Sequence, residues 1–312
     1  MNGSGDERAV DRVRSEVCKA QSLISDDPAL LTWLNDDSNI ERFLRAEGGS
    51  EHKAVKRLVS TLAWMKEERP LELACPACYN YGADGQLRAS AAGHYMHVVT
   101  YDVNHRPTIY SCLELASNKD IEDNRRHLIS TFELAIEMMP NGVERWNWVL
   151  DMHGFRLVDC DPRLAKIFLS LAGDRYPERL GNFWVVDAPG LFSKLWSIIE
   201  KFIDPVTKEK IRFVSTKDEA KLRAALASHF CEGDVEFFVR EIKENREVKR
   251  GEKTFCYREF VDWLRKAYDT NGEHGIDIDG GCGAALKWSR RLKDIVHHTG
   301  GVMPERIRSC CK

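Results

Sequence analysis

Apolar and polar positions recur along this chain with two different periods, and the change of period divides it. Ile40, Phe43 and Leu44 keep a helical spacing behind a cap near Asp37-Ser38, and Gly48-Gly49 closes that helix. Val55, Leu58, Val59, Leu62 and Met65 predict a second helix that closes before Pro70. From about Leu87 short β-branched and aromatic runs take over, at Val98-Val99, Thr108 to Tyr110 and Trp146 to Leu150. Helical patterns separate them. One runs from Asp120 to Met139 with Leu128, Phe132, Leu134, Ala135 and Met138 inward, and one from Pro162 to Ala172. Strands alternating with helices predict an α/β lobe whose parallel or mixed sheet is covered by helices.

The stretch from Tyr176 to Val214 carries the strongest pattern. Phe183 to Val186 is a four-residue buried strand between Gly181 and Pro189-Gly190. Leu191 to Ile203 then sets Leu191, Phe192, Leu195, Trp196, Ile198, Ile199, Phe202 and Ile203 on one helix, a stripe wider than a surface helix buries. Asp204-Pro205 stops it, because the residue before proline is pushed out of the α region. Ile211 to Val214 re-enters the sheet. Beyond Asp218 the chain is helical through Phe238. A charged segment, Arg240 to Arg250, then leads into a tail with a helix at Glu259–Tyr268, a Gly/Asp loop and a basic helix around Ala285–Val296. The expected organisation is a helical region 1–85, an α/β lobe 86–233 and a helical, basic tail 234–312.

Composition narrows the setting. The chain has 312 residues, 43 % of them hydrophobic and 30 % charged, enough apolar material for a sizeable core, and its net charge is −3. No run approaches the roughly 18 apolar residues that span a bilayer, and the N-terminus lacks a signal-peptide core. A cytoplasmic protein that visits a membrane surface is expected, a monomer with no nucleic-acid partner. The 10 cysteines are scattered and read as reduced thiols. Cys75-Pro-Ala-Cys78 stands alone, short of the four ligands of a zinc site. No nucleophile–base pair, phosphate loop or metal set appears, so neither an enzyme nor a cofactor is expected.

Six segments, in order, resemble the Sec14-like (CRAL-TRIO) lipid-binding and transfer family. They are DDSNIERFLRA at Asp36–Ala46, Asp-x-x-x-Arg-Pro at Asp102–Pro107, DMHG at Asp151–Gly154, YPERL at Tyr176–Leu180, FWVVDAP at Phe183–Pro189 and DPVTKEKI at Asp204–Ile211. The resemblance implies a helical bundle before a lobe that encloses one lipid, phosphatidylinositol or phosphatidylcholine in type. It also implies a lid and acyl-chain wall of Leu191, Phe192, Leu195, Trp196, Ile199, Phe202 and Ile203. In phosphoinositide-binding members the positions matching Asp102, Pro107, Glu178, Thr207 and Lys210 hold the headgroup, and Arg179 joins them as a candidate. A lysine ammonium suits a phosphate and a carboxylate accepts from ring hydroxyls. The chain departs from the pattern at Glu47 and Gly48, where those members carry basic residues. A tocopherol-like or retinoid-like ligand therefore stays open, as does a regulatory module that keeps the fold and recruits partners.

Three further motifs have plainer readings. Asp151-Met-His153-Gly154 reads as a strand terminus with a turn glycine. The loop from Asp269 to Gly280 follows a calcium-loop pattern but has His274 at the turn position and Gly280 at the bidentate position, so a solvated loop is expected. Lys287 to Lys312 is rich in Lys and Arg and suits an anionic leaflet, and Cys310-Cys311 suits S-acylation, with a solvated tail as the plain alternative.

Overall fold

Caps and buried spacing build the first part of the chain. In the computed structural model, which describes residues 3–20, 27–70, 79–81, 87–89, 95–116, 120–156, 159, 162–203 and 205–247, four helices come first. These are α1 (Gly3–Ala20), α2 (Pro28–Asn35), α3 (Asp37–Ala46) and α4 (Glu51–Glu68). Asp27 accepts from the amides of Ala29 and Leu30, with Pro28 at the first helical position, where its missing N–H costs nothing. Asp36 caps α3 through the Ser38 amide, one residue earlier than the sequence suggests. Gly48 and Gly49 end α3 at φ 60° and 83°, a region that only glycine enters freely. Val10, Val13, Val17, Leu34, Ile40, Phe43, Leu58 and Leu62 form one buried core.

This unit takes in a later piece of chain. Met1–Glu72 is joined by Leu169–Arg179, so the helical region does not simply end at 85. Arg57 Nε and Thr61 Oγ1 each donate to the carbonyl of Asp174 at 3.3 Å, Arg175 donates to Ser60 Oγ at 2.9 Å, and Tyr176 stands edge-on to Trp64. Helix α6 (Pro162–Ser170) runs into this piece through a wide turn, Leu171–Arg175, where the Tyr176 amide bonds back to the Leu171 carbonyl.

The second unit, Leu73–Phe168 with Leu180–Lys312, holds the sheets. A short antiparallel hairpin, β1 (Tyr79–Tyr81) and β2 (Leu87–Ala89), comes first. The main sheet then takes its strands in sequence order: β3 (Met96–Tyr101), β4 (Pro107–Cys112), β5 (Trp146–Asp151), β6 (Leu180–Val186) and β7 (Ile211–Val214). The first pair is antiparallel and the other three are parallel. The crossovers are α5 (Ile121–Glu137), α6, and α7 (Gly190–Ile199) followed by a tight turn at Glu200–Phe202 and α8 (Pro205–Glu209). Parallel crossovers keep one hand, so a sequential order sets all of them on one face of the sheet.

The other face is closed by α9 (Glu219–Ala227) and α10 (Glu232–Asn245). Tyr110, Val149, Trp184 and Val186 pack there with Leu222, Leu226, Phe230, Phe238 and Ile242. Helix α10 therefore belongs to the core of this unit and runs on to Asn245, although the sequence reading placed 234 onward in a tail, ended the helix at Phe238 and made Arg240 to Arg250 a charged segment. Cys75-Pro-Ala-Cys78, the loop 269–280, the basic tail and Cys310-Cys311 lie outside the described residues. Among the described residues no helix is long and apolar enough to cross a membrane, and no cluster of His, Cys, Asp or Glu has the makings of a metal site.

Candidate functional site

Strand alternation sorts the sheet into two surfaces with different chemistry. On the crossover face stand Ile109 and Ser111 of β4, Trp146 and Trp148 of β5, Phe183 and Val185 of β6, and Ile211 and Phe213 of β7. The aromatic rings interlock: Phe132 of α5 stacks on Trp146 at 4.7 Å, and Trp148 meets Phe132, Phe168 and Phe183. The indole N–H of Trp148 is answered in place, Nε1 donating to Ser111 Oγ at 2.8 Å. Burial is not even across this face. Ile109, Val185 and Phe183 are buried, but Phe213 is 48 % exposed. The apolar floor thus opens toward β7.

Helix α7 lies over that opening. Phe192 and Trp196, one turn apart, both contact Phe213, at 6.3 and 5.1 Å between ring centroids, and Phe192 also meets Phe155 edge-on. All three rings remain only partly buried, as do Ile199 and Ile203. Leu191, Leu195 and Phe202 stand in the helix and the turn that follows, and their side chains lie outside the described residues. The described part of the apolar stripe read from the sequence, Phe192, Trp196, Ile199 and Ile203, is therefore only loosely covered.

The six residues assigned to a polar headgroup fall into two groups. Glu178 and Arg179 belong to the helical unit, where Glu178 turns the chain at φ 59° and Arg179 is buried. Asp102, Pro107, Thr207 and Lys210 belong to the sheet unit. Thr207 and Lys210 are brought together by the turn that ends α8, with the Lys210 amide on the Thr207 carbonyl at 3.1 Å, and the Lys210 carbonyl receives the amide of Phe183. Pro107 opens β4 opposite Tyr101. The buried carboxylate of Asp102 accepts from the amides of Asn104 and Arg106 and from Asn147 Nδ2, all at 2.8–2.9 Å, so it holds the β3–β4 turn in shape. Glu47, the departure noted above, is paired with Arg57 at 2.7 Å, and the same guanidinium lies over Phe43.

Two buried polar systems escaped the sequence reading. Along the α9–α10 face, Asn147 Oδ1 receives the amide and side-chain nitrogen of Asn182, and Asn182 Oδ1 receives Arg212 Nη1 at 2.7 Å. With Asp102 these make a ladder across β5, β6 and β7. The signal was an asparagine within each of two aromatic strand runs. At the other end of the strands, Arg246 donates twice to the fully buried Asp151, at 2.8 and 2.9 Å, and once to Asp187. Burial works against the Arg246 charge, but the bonds and attraction of Asp151 and Asp187 outweigh it and hold the guanidinium above its ordinary pKa. Asp187 also accepts from the Ser215 and Thr216 hydroxyls and the Thr216 amide. It sits at φ 51°, two residues before the cap of α7.

Comparison with known proteins places this arrangement. Residues 93–233 match the CRAL/TRIO domain family. A CRAL-TRIO domain-containing protein of Schizosaccharomyces pombe is 29 % identical over 64 % of this chain and 19 % of its own length. The phosphatidylinositol transfer protein CSR1 of Eremothecium gossypii is 25 % identical over 58 % of this chain and 42 % of its own. The chain thus spans less than half the length of either relative. The crystal structure of Sfh5 superposes with a TM-score of 0.52 at 18 % identity, covering 71 % of this chain and 83 % of that one, a likeness of fold.

Proposed function

We propose that this chain, whose residues 93–233 match the CRAL/TRIO domain family, holds one lipid against the crossover face of its sheet and transfers or presents it between membranes. The observation that carries this reading is the half-open aromatic corner of Phe192, Trp196 and Phe213 beside the buried floor of Ile109, Trp148, Phe183 and Val185. Each CH₂ taken from water contributes roughly 0.8 kcal/mol, so two acyl chains supply most of the affinity and need only apolar walls. Helix α7 is the wall that moves. Thr207 and Lys210 meet the headgroup, the ammonium facing a phosphate and the hydroxyl a neighbouring oxygen. Glu178 and Arg179 take no part in this proposal.

A phospholipid of the phosphatidylinositol or phosphatidylcholine type fits best. The name of the CSR1 relative supports an inositol lipid, and the charge of Glu47, which spoke against one, is met by Arg57. No covalent step is required, and membrane contact is transient. Native mass spectrometry of the purified chain, with extraction and identification of what it carries, is the test. A single phospholipid per chain is expected. A sterol, tocopherol or retinoid in its place would transfer the reading to a small apolar ligand. An empty protein after incubation with mixed vesicles would overturn both.

A further inference from the structure

On the sheet face that α9 and α10 cover, positive charge gathers without a matching negative one. Arg106, from the β3–β4 turn, lays its stem across β6, its Cδ 3.4 Å from where a Cβ on Gly181 would stand. The next residue, Asn182, receives Arg212 from β7. The Arg212 guanidinium then lies over the ring of Trp184, 5.8 Å from its centroid, and His229 approaches the same ring at 5.2 Å. The β3–β4 turn is tied to this point by its backbone, the Val103 amide bonding to the His229 carbonyl at 2.9 Å. Three cationic or potentially cationic side chains from three different segments therefore meet around Asn182 and Trp184.

What faces them is thin. Asp102 is the carboxylate at hand, its Oδ2 stands 4.0 Å from Arg106 Nη1, and it already accepts three shorter hydrogen bonds. Among the described residues Arg212 has no carboxylate partner, only the Asn182 carbonyl oxygen and the indole. Among the described residues the buried indole N–H of Trp184 has no acceptor. Unfilled hydrogen-bonding capacity at this place is thus donor capacity, and the charge balance, two guanidinium groups against one carboxylate, is positive. Half-buried like charges repel more strongly than in water, and an anion between them relieves that repulsion.

We propose that Arg106, Arg212 and His229 form a binding site for a phosphate monoester on the sheet face opposite the acyl-chain floor. A guanidinium pair presents forked donors that match phosphate oxygens, and the imidazole adds a third direction. The dianionic form of a monoester balances the surplus once His229 is protonated. The site is independent of the apolar face and does not need a lipid there.

His229 reports occupancy. Burial lowers its pKa, the charge of Arg212 lowers it further, Asp102 raises it and Arg106 lowers it again. A bound phosphate reverses the local field and raises it. The test follows the His229 imidazole by NMR in the full chain, in inorganic phosphate and in chloride at equal ionic strength. Phosphate is expected to move the titration to higher pH and to raise the melting temperature. Arg212→Gln is expected to weaken phosphate binding by about tenfold to a hundredfold, and Arg106→Gln serves should that variant fail to fold. Identical titrations in phosphate and chloride would overturn the proposal, unless vesicles give the response instead. Vesicles of phosphatidylcholine with and without phosphatidic acid separate the two sources. Arg212-dependent sedimentation with phosphatidic acid assigns a lipid phosphate, and a response to inorganic phosphate alone assigns a soluble one. Silence toward both probes sinks the site. Lipid carried by the same Arg212→Gln sample, read by mass spectrometry, shows separately whether the acyl-chain reading stands.

Discussion

Asn147 illustrates how much one buried amide can hold. Its side chain donates to Asp102 and accepts twice from Asn182, with no exposed surface of its own. Asn147→Ala removes one partner from each of these groups and leaves buried polar atoms unanswered, at about 1–3 kcal/mol for each group so exposed. A fall in the urea midpoint with an unchanged slope is the expected result. Gly154 is a second such point. It sits at φ 77°, and a Cβ there would stand 2.7 Å from the Glu114 Cα, so Gly154→Ala should cost at least about 2 kcal/mol in the same assay. The sequence announced Gly154 as a turn glycine because glycine is a conspicuous signal. It did not announce Asn147, because an asparagine between two tryptophans carries no mark of whether its amide is paired.

Asp187 gives a pH dependence with a definite sign. Burial raises its pKa, but the hydrogen bonds from Thr216, Ser215 and Arg246 outweigh that and hold it below the ordinary carboxylate value. A depressed folded pKa contributes stability that is complete above the unfolded value and is lost as the pH falls through the lower folded one. Wild type should therefore lose stability on acidification faster than Asp187→Asn, which keeps the left-handed backbone but cannot titrate there. Parallel acid profiles for the two would show that the carboxylate adds nothing.

Among the elements, α7 has the most direct consequence. If it is the moving wall, Trp196→Asp should slow lipid exchange between vesicles severalfold while circular dichroism stays as in wild type. An unaltered rate would leave α7 as static cover. Strands β3 to β7 were legible because aromatic and β-branched runs bounded by Gly, Pro and Asp have few other readings, and Ile211–Val214 was placed to the residue. Helices α1 and α2 were not singled out. Helix α1 buries Val10, Val13 and Val17 among charged neighbours, too sparse a stripe to stand out, and α2 is an eight-residue helix announced only by Asp27-Pro28. The candidate wall was visible as a stripe. The imbalance of charge around Arg212 was not, since it depends on which face of β7 that residue takes.

At the scale of the whole molecule, the sheet has to be closed from both sides, and the second side arrives late in the chain. Arg246 joins α10 to the ends of β5 and β6 through Asp151 and Asp187. Arg246→Leu strands a fully buried Asp151 and should cost about 3–5 kcal/mol in chemical denaturation. Ending the chain at residue 233, where the family match stops, removes Val235, Phe238, Val239 and Ile242 from the core as well. Such a truncation should fail to give a cooperative urea transition.

That position of α10 sets a clock on biosynthesis. Because the strands pair in the order they are made, each one leaving the ribosome finds its neighbour ready. The surface of Tyr110, Val149 and Trp184 does not find its cover until α10 has emerged. At translation speeds of roughly 5–20 residues per second, the stretch from Val186 to Asn245 takes on the order of 3–12 s. For that interval the nascent chain carries a nearly finished sheet with one oily side bare, and it is then that a chaperone has something to hold.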